Sequence, residues 1–252
     1  MAELLFWPAL LAYGEAAIAY VGVLRRPDLA TRLAIWGVRI GWLAQTALLV
    51  AEAVRADGFP WSSWAGALNL FVWFAVGTYL IWGCSPRYRL LGLAVMPAAA
   101  VLFAVAGLGG AADDDGSGLF VAAHVGLVVA GFAGFGLAAG IAGLYLWQER
   151  RLKRRPVGLL RLGPPSLATL DRLEARVTVV ALVAFTIGIA LGFARGHALD
   201  LAVGGAVAAW IVFGSALLLR RELGWRGRRA ACLTLAGFAV VALLGLPAGH
   251  LG

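Results

Sequence analysis

The sequence predicts an all-α polytopic integral membrane protein with about eight transmembrane helices. Of the 252 residues 62% are hydrophobic and only 13% are charged, whereas soluble domains carry about 25% charged residues. The apolar runs are about 20 residues long, which is the length that crosses a bilayer as a helix and is far longer than a barrel strand. These observations exclude a water-soluble globule.

Eight candidate spans follow from apolar runs that are broken by charges or by Gly/Pro clusters. The first one is not a secretory signal, because Met1-Ala2-Glu3 carries no basic residue and Glu15 lies in the apolar centre. We therefore expect one transmembrane domain over 1–252, with four N-terminal helices in 1–110 and a C-terminal group in 118–250. The spans are 4–24, 33–54, 63–83, 90–109, 118–147, 177–194, 199–219 and 230–248.

The basic residues predict the orientation. Of the 21 Lys and Arg residues, 18 lie in the loops that follow spans one, three, five and seven. By the positive-inside rule these loops are cytoplasmic, so both termini face outward in a multi-pass protein of the cell membrane. The net charge of +8 therefore does not imply a nucleic-acid partner. We interpret the basic cluster in 150–155 as a determinant of membrane orientation that is also attracted to anionic lipid.

The cysteines and histidines fall at opposite ends of the spans. Cys84 and Cys232 are expected at inner ends, so we predict no structural disulfide. His124, His197 and His250 are all expected near the outer face. Two imidazoles on different helices can hold a haem iron axially, but isolated interfacial histidines are common, and the residues alone favour that interpretation.

Charged and amide side chains inside the spans are the second group of candidates. Glu15 and Arg39 fall at similar depths, and Glu52 lies near the outer end of span two. They indicate either a pathway for protons or solutes or, as we favour, a buried Glu15–Arg39 pair that locks two helices together. Gln45 and Asn69 are predicted to form hydrogen bonds between helices.

Glycine and leucine spacing predicts two further features. Span five carries glycines at spacings typical of close helix packing, including Gly131, Gly134 and Gly143. Ser166 follows two prolines and is a predicted helix cap. The leucines after Ser166 fit an amphipathic helix on the inner membrane surface within 156–176, and they fit a lead-in to span six equally well.

Three stretches in order resemble the cytochrome c assembly family, and more narrowly its HemX-like and CcsA-like members. The first is His124 and the glycine-rich span that ends in Tyr145-Leu-Trp-Gln-Glu-Arg-Arg-Leu-Lys-Arg. The second is Pro165-Ser166-Leu-Ala-Thr-Leu-Asp171-Arg172-Leu, and the third is Gly224-Trp225-Arg226-Gly227-Arg228-Arg229-Ala230. The resemblance is clearest over 118–250.

The resemblance implies that the protein handles haem b at the outer face and delivers it for attachment to apocytochrome c. It places His124 and His250 as axial ligands of the haem iron. It also implies a CcsB/ResB-like membrane partner, with enzymatic activity only as part of a haem–apocytochrome c ligase complex. Membrane lipid is the other expected partner.

The chain departs from the family pattern between the two ligand histidines. The family has a tryptophan-rich segment of the form WGxxWxWDP there, whereas 193–205 contains no tryptophan and retains only Asp200. Nearby His197 is a candidate substitute ligand or haem-propionate partner. These departures resemble the shorter HemX-like branch, which implies regulation of haem biosynthesis as an alternative function. A transporter that uses Glu15, Arg39 and Glu52 is the alternative from a different class.

Overall fold

The described part of the chain is all helical. The computed structural model describes residues 2–22, 27–55, 63–82, 89–109, 119–153, 165–194 and 201–248. Within these ranges there are eight helices, one for each predicted span, so the all-α fold class is confirmed. They are α1 (Ala2–Gly22), α2 (Pro27–Arg55), α3 (Trp64–Trp82), α4 (Arg89–Ala106), α5 (Leu119–Lys153), α6 (Leu167–Ala194), α7 (Leu201–Glu222) and α8 (Arg228–Ala248).

Six of these helices are long and apolar enough to cross a membrane when only the described residues are considered: α1, α2, α3, α5, α6 and α7. A shorter apolar stretch, Leu91–Ala106, belongs to α4. Because a helix rises about 1.5 Å per residue, each of the six spans at least most of a hydrocarbon core about 30 Å thick. The protein is therefore a polytopic membrane protein.

Two helices extend further into the basic segments than predicted. α5 continues to Lys153, where a salt bridge of 2.9 Å joins Lys153 to Glu149 one turn earlier, and the basic last turn complements the negative end of the helix dipole. α6 begins at Leu167, because the Oγ of Ser166 accepts a hydrogen bond from the Thr169 backbone N–H at 3.2 Å. The predicted cap at Ser166 is confirmed. The leucines after it form the first turns of α6, and no separate surface helix is present in 165–194.

The described residues fall into two compact units, and the division between them in the sequence comes after Val125, inside α5. In the first unit, the α1–α2 contact is close because glycines on α2 face small or flat side chains of α1. A Cβ on Gly37 would lie 3.2 Å from the Ala16 Cβ, and one on Gly41 would lie 2.6 Å from the Tyr13 ring. Phe6 on α1 also stacks on Phe103 of α4 at 4.9 Å.

The second unit has an aromatic core between α5, α6 and α7. The rings of Phe135 and Phe213 are parallel with centroids 3.8 Å apart, and Phe185 packs edge-on against Phe135. All three side chains are fully buried. At the same contact, Cβ atoms on Gly131 and Gly134 would lie within 2.7 Å of α6, so the predicted close packing of span five is confirmed at these two glycines.

Candidate functional site

The structure places His124, the first predicted haem ligand, in the second turn of α5. The helix begins at Leu119, and the His124 side chain is half-buried among its neighbours. The other three residues assigned to haem, His197, Asp200 and His250, lie outside the described residues. The predicted pairing of His124 with His250 therefore stays a prediction. The last described residue of α8 is Ala248, two positions before His250.

The predicted buried pair of Glu15 and Arg39 is wrong. Both side chains are exposed, and no ion pair joins them among the described residues. Arg39 instead places its guanidinium over the Trp36 ring, 5.4 Å from the ring centre. The physical reason is the α1–α2 contact, which uses the faces of Tyr13 and Gly37 and turns both charged side chains away from it.

Glu52, the third predicted intramembrane charge, lines a cavity of about 300 Å³ at the ends of α1–α4 that are predicted to face outward. The Glu52 side chain is half-buried. The rest of the wall consists of the aromatic rings of Phe6, Trp7 and Phe103, the Asn69 amide, and aliphatic side chains and glycines. The cavity thus combines one carboxylate with an apolar surface, and it lies entirely within the first unit.

A hydrogen-bonded cluster of Tyr13, Gln45 and Asn69 joins α1, α2 and α3. The Tyr13 hydroxyl donates to Gln45 Oε1 at 2.6 Å, and Gln45 Nε2 donates to Asn69 Oδ1 at 2.7 Å and to the Asn69 carbonyl at 3.0 Å. Tyr13 and Gln45 are fully buried. The prediction that Gln45 and Asn69 bond between helices is confirmed, and Tyr13 is a partner that the sequence did not reveal.

Two tryptophans beside this cluster have structural partners. Trp42 and Trp73 stack at 5.2 Å, the Trp42 indole donates to the Trp73 carbonyl, and the Trp73 indole donates to Thr46 Oγ1. Because both indole N–H groups and the stacked faces are used between α2 and α3, these rings serve packing.

The most extensive polar contact in the second unit was not predicted, and we call its residues, Asp171, Glu174, Arg220 and Thr234, the Arg220 cluster. Arg220 on α7 binds Asp171 Oδ2 at 2.6 Å and Glu174 Oε2 at 3.1 Å. Thr234 on α8 donates to Glu174 Oε1 at 2.7 Å. The Arg220 cluster therefore ties α6, α7 and α8 together at the ends that carry the basic residues.

The Arg220 cluster lies where the three stretches that carry the family resemblance meet. Gln148 of the first stretch donates to the Pro165 carbonyl of the second at 2.7 Å. Asp171 of the second accepts a hydrogen bond from the Gly227 backbone N–H of the third at 2.7 Å. Gly227 has a φ of 64°, a left-handed conformation that glycine adopts without strain. Residues far apart in sequence thus form one structural element.

The donors and acceptors of the Arg220 cluster bind one another. All four carboxylate oxygens of Asp171 and Glu174 accept hydrogen bonds from protein groups. Such a saturated network fixes the positions of the helices, and its carboxylate oxygens are already bound to donors of the protein. Among the described residues, no group of three His, Cys, Asp or Glu side chains is arranged to hold a metal ion.

The described residues contain no disulfide bond. Cys232 is an exposed free thiol on α8, and Cys84 lies outside the described residues. Of the residues suited to hold an iron atom by nitrogen, the described part of the chain contains His124 alone.

Comparison with known proteins identifies the family. A model of the cytochrome c assembly protein family matches residues 61–246, about three quarters of the chain. The match contains His124 and the whole Arg220 cluster, and it ends four residues before His250. No curated protein matches the chain.

Proposed function

Because the chain belongs to the cytochrome c assembly protein family, we propose that it binds haem near the predicted outer face of the membrane and presents it during c-type cytochrome biogenesis. The family match supports the role in cytochrome c biogenesis. The observation that carries the haem proposal is the position of His124, half-buried in the second turn of the glycine-rich helix α5 and within the matched residues.

His124 fits the role of an iron ligand by chemistry and by position. A neutral imidazole nitrogen is a common axial ligand of haem iron. Half-burial holds the ring on a helix and leaves part of it accessible to a ligand. The bound haem would supply the porphyrin vinyl groups that become attached to the cytochrome, while the chain holds and orients it.

A second axial ligand is proposed from the opposite end of the chain. His250 follows α8, whose predicted outer end is the end nearest to it. His197, in the segment between α6 and α7, is the competing candidate for the iron or a partner for a haem propionate, and Asp200 is proposed to belong to the haem site. The second axial ligand is therefore either His250 or His197, and one experiment distinguishes the two.

The test is the absorption spectrum of the full chain, purified in detergent and reconstituted with haem b, in oxidised and reduced forms. We expect the low-spin spectrum of a haem with two axial imidazoles. It should be lost in His124→Ala and in His250→Ala, and retained in His197→Ala, which is the matched control. Added imidazole should restore a low-spin spectrum to His124→Ala, because it refills the vacated ligand position.

Two results would overturn the proposal. One is wild-type protein that is folded, as judged by its helical circular dichroism, and binds no haem after reconstitution. The other is a His124→Ala variant with an unchanged spectrum. Loss of the spectrum in His197→Ala together with retention in His250→Ala would replace His250 by His197 as the second ligand.

The alternative functions lack a favouring observation of this kind. A transporter that uses Glu15, Arg39 and Glu52 needs these side chains along one interior path, whereas Glu15 and Arg39 are exposed on helix surfaces. A HemX-like regulator of haem biosynthesis is compatible with the same family and with a haem-binding face. It would be distinguished by a cytoplasmic partner that binds through 149–176.

A further inference from the structure

The cavity beside Glu52 combines a carboxylate, an amide and aromatic rings within the first unit. We call it the Glu52 cavity; its volume is about 300 Å³, and side chains of α1, α2, α3 and α4 all line it. Glu52 on α2 supplies the carboxylate and Asn69 on α3 supplies the amide. None of the described lining residues is a histidine, so an inference about this cavity does not depend on haem binding.

The Asn69 amide brings an unpartnered donor to the Glu52 cavity. Asn69 is only 8% exposed. Its Oδ1 and its backbone carbonyl both accept hydrogen bonds from Gln45 Nε2, at 2.7 Å and 3.0 Å. A backbone carbonyl can only accept, which identifies the Gln45 atom as nitrogen and the Asn69 atom bonded to it as oxygen. Among the described residues Asn69 Nδ2 then has no hydrogen-bond partner. Because buried donors are rarely left without an acceptor, this group indicates a ligand atom in the cavity.

Aromatic rings form a preformed wall of the Glu52 cavity. Phe6 stacks on Phe103 with ring centroids 4.9 Å apart, and Trp7 meets Phe6 edge-on at 5.6 Å. A Cβ on Gly107 would collide with the Phe6 ring, so the glycine leaves room for this ring at the end of α4. The rings hold one another in place, and aromatic faces attract cations.

These three features determine which ligand chemistry fits. A carboxylate in a largely apolar wall favours a cation that can donate a hydrogen bond to it, and aromatic rings favour an organic ammonium group. The Asn69 N–H groups need an oxygen acceptor. We propose that the Glu52 cavity binds a primary ammonium group that is carried next to an oxygen atom, as in ethanolamine. The ammonium group binds Glu52, and the oxygen atom accepts from Asn69 Nδ2.

Other cations fit this wall less well. Mg²⁺ and Ca²⁺ take oxygen ligands, whereas Asn69 Oδ1 is bound to Gln45 and the aromatic rings offer no oxygen. A quaternary ammonium group has no N–H to donate to the carboxylate. A carboxylate has about four acceptor positions, so Glu52 can bind the ammonium group in addition to a partner within the protein.

Two sources carry this chemistry, the headgroup of phosphatidylethanolamine and a free amino alcohol. Glu52 lies three residues before the end of α2 at Arg55, about 5 Å along the helix axis. This position is close to the level of the lipid headgroups. The ammonium group and the neighbouring oxygen are common to both sources, and the experiment distinguishes them.

The experiment measures lipid binding to the full chain in detergent by native mass spectrometry. Phosphatidylethanolamine and phosphatidylcholine with the same acyl chains are titrated in parallel. We expect phosphatidylethanolamine to bind about tenfold more tightly, which is the effect of one hydrogen bond to a charged group. Saturation-transfer NMR with ethanolamine tests the free source. Ethylammonium, which lacks the oxygen atom, should bind more weakly than ethanolamine.

Four variants test the contacts. Glu52→Gln should weaken binding about tenfold, because it removes the charge from the acceptor. Glu15→Gln is the matched control, since Glu15 is exposed on α1 and does not line the cavity; it should have no effect. Ala106→Leu fills part of the cavity, leaves Glu52 in place and should also weaken binding. Asn69→Leu should abolish the preference for ethanolamine over ethylammonium, a ratio that does not depend on overall stability.

The outcomes separate the sources and can overturn the proposal. Glu52-dependent binding of phosphatidylethanolamine alone identifies the lipid as the ligand, and Glu52-dependent binding of ethanolamine alone identifies a free solute. The proposal is overturned if folded wild-type protein binds neither, if phosphatidylcholine binds as tightly as phosphatidylethanolamine, or if Glu52→Gln and Ala106→Leu both bind like wild type. Equal losses in Glu52→Gln and Glu15→Gln would also overturn it, because the effect would then not belong to the cavity.

Discussion

Arg220 of α7 lies between Asp171 and Glu174 of α6 and binds both carboxylates, at 2.6 Å and 3.1 Å. The three side chains are only 8% to 15% exposed. A guanidinium suits this position because its planar fork can donate to two acceptors while staying charged. With Thr234 and Gly227 also bound to the same carboxylates, one arginine organises the contacts of three helices.

Replacing Arg220 should destabilise the protein severely. Arg220→Met removes the cation and leaves Asp171 and Glu174 as neighbouring, largely buried carboxylates, so we expect a loss of about 3–5 kcal/mol in the free energy of unfolding. A denaturant titration of the detergent-solubilised protein, followed by tryptophan fluorescence, measures the loss. The triple change Arg220→Met, Asp171→Asn and Glu174→Gln should recover part of it, because no unpaired charge remains.

Arg221→Met is the control for this measurement. The Arg221 side chain is 86% exposed, and its distance of 3.6 Å to Glu222 is typical of a surface ion pair. We expect a change within about 0.5 kcal/mol. Equal effects of Arg220→Met and Arg221→Met would contradict the bracing role of the Arg220 cluster.

The helices could be predicted from the sequence because their cause is local. Each span is an apolar run of bilayer length, and the cap at Ser166 depends on residues within one turn of it. The helix ends in the basic segments could not be placed as well. α5 continues to Lys153 and α6 begins at Leu167, both beyond the apolar runs, because polar residues can continue a helix outside the membrane.

Partners across helices were harder to predict, because they depend on which face each helix turns inward. Gln45 and Asn69 were found since an amide inside a span needs a partner. The pairing of Glu15 with Arg39 was wrong, since similar depth does not imply facing sides. The charge pattern groups Arg220 with the arginines that set the topology. Asp171 and Glu174 directly follow Leu170 and Leu173, and this spacing is the signal that indicates an inward-facing acidic pair.

Gln45→Leu should weaken the contact between α1, α2 and α3. The change removes the acceptor of the Tyr13 hydroxyl and the donor to Asn69. Polar contacts between transmembrane helices are worth about 0.6 kcal/mol on average and up to about 1.7 kcal/mol, and a fully buried hydroxyl is also left unsatisfied. We therefore expect a loss of about 1–3 kcal/mol in the free energy of unfolding.

A double-mutant cycle with Asn69→Leu isolates the Gln45–Asn69 contact. The double variant should lose about 1 kcal/mol less stability than the sum of the two single losses. Additive effects of the two changes would show that the 2.7 Å contact contributes nothing to stability.

Gly134→Ala should separate α5 from α6. The added Cβ would lie 2.6 Å from the Ala181 Cβ, which cannot rotate away, so the helices must shift at a cost of about 1–3 kcal/mol. Ala181→Gly in the same chain should relieve the clash. Gly143→Ala is the matched control on the same helix, because nothing lies within 4 Å of its added Cβ. It should be neutral or stabilising by up to about 1 kcal/mol.

Alanine substitutions at the two glycines in the turn between α7 and α8 should distinguish backbone strain from steric contact. Gly224 and Gly227 both have a φ of 64°, so alanine at either position costs about 1–2 kcal/mol for the left-handed conformation. A Cβ on Gly224 meets nothing within 4 Å, whereas one on Gly227 would lie 2.7 Å from the Tyr145 hydroxyl. Gly227 also donates to Asp171. We therefore expect Gly227→Ala to lower the free energy of unfolding more than Gly224→Ala, and Tyr145→Phe to narrow the difference. Equal losses at the two glycines would show that the Tyr145 contact and the Asp171 bond adjust without cost, and that only the backbone conformation constrains this turn.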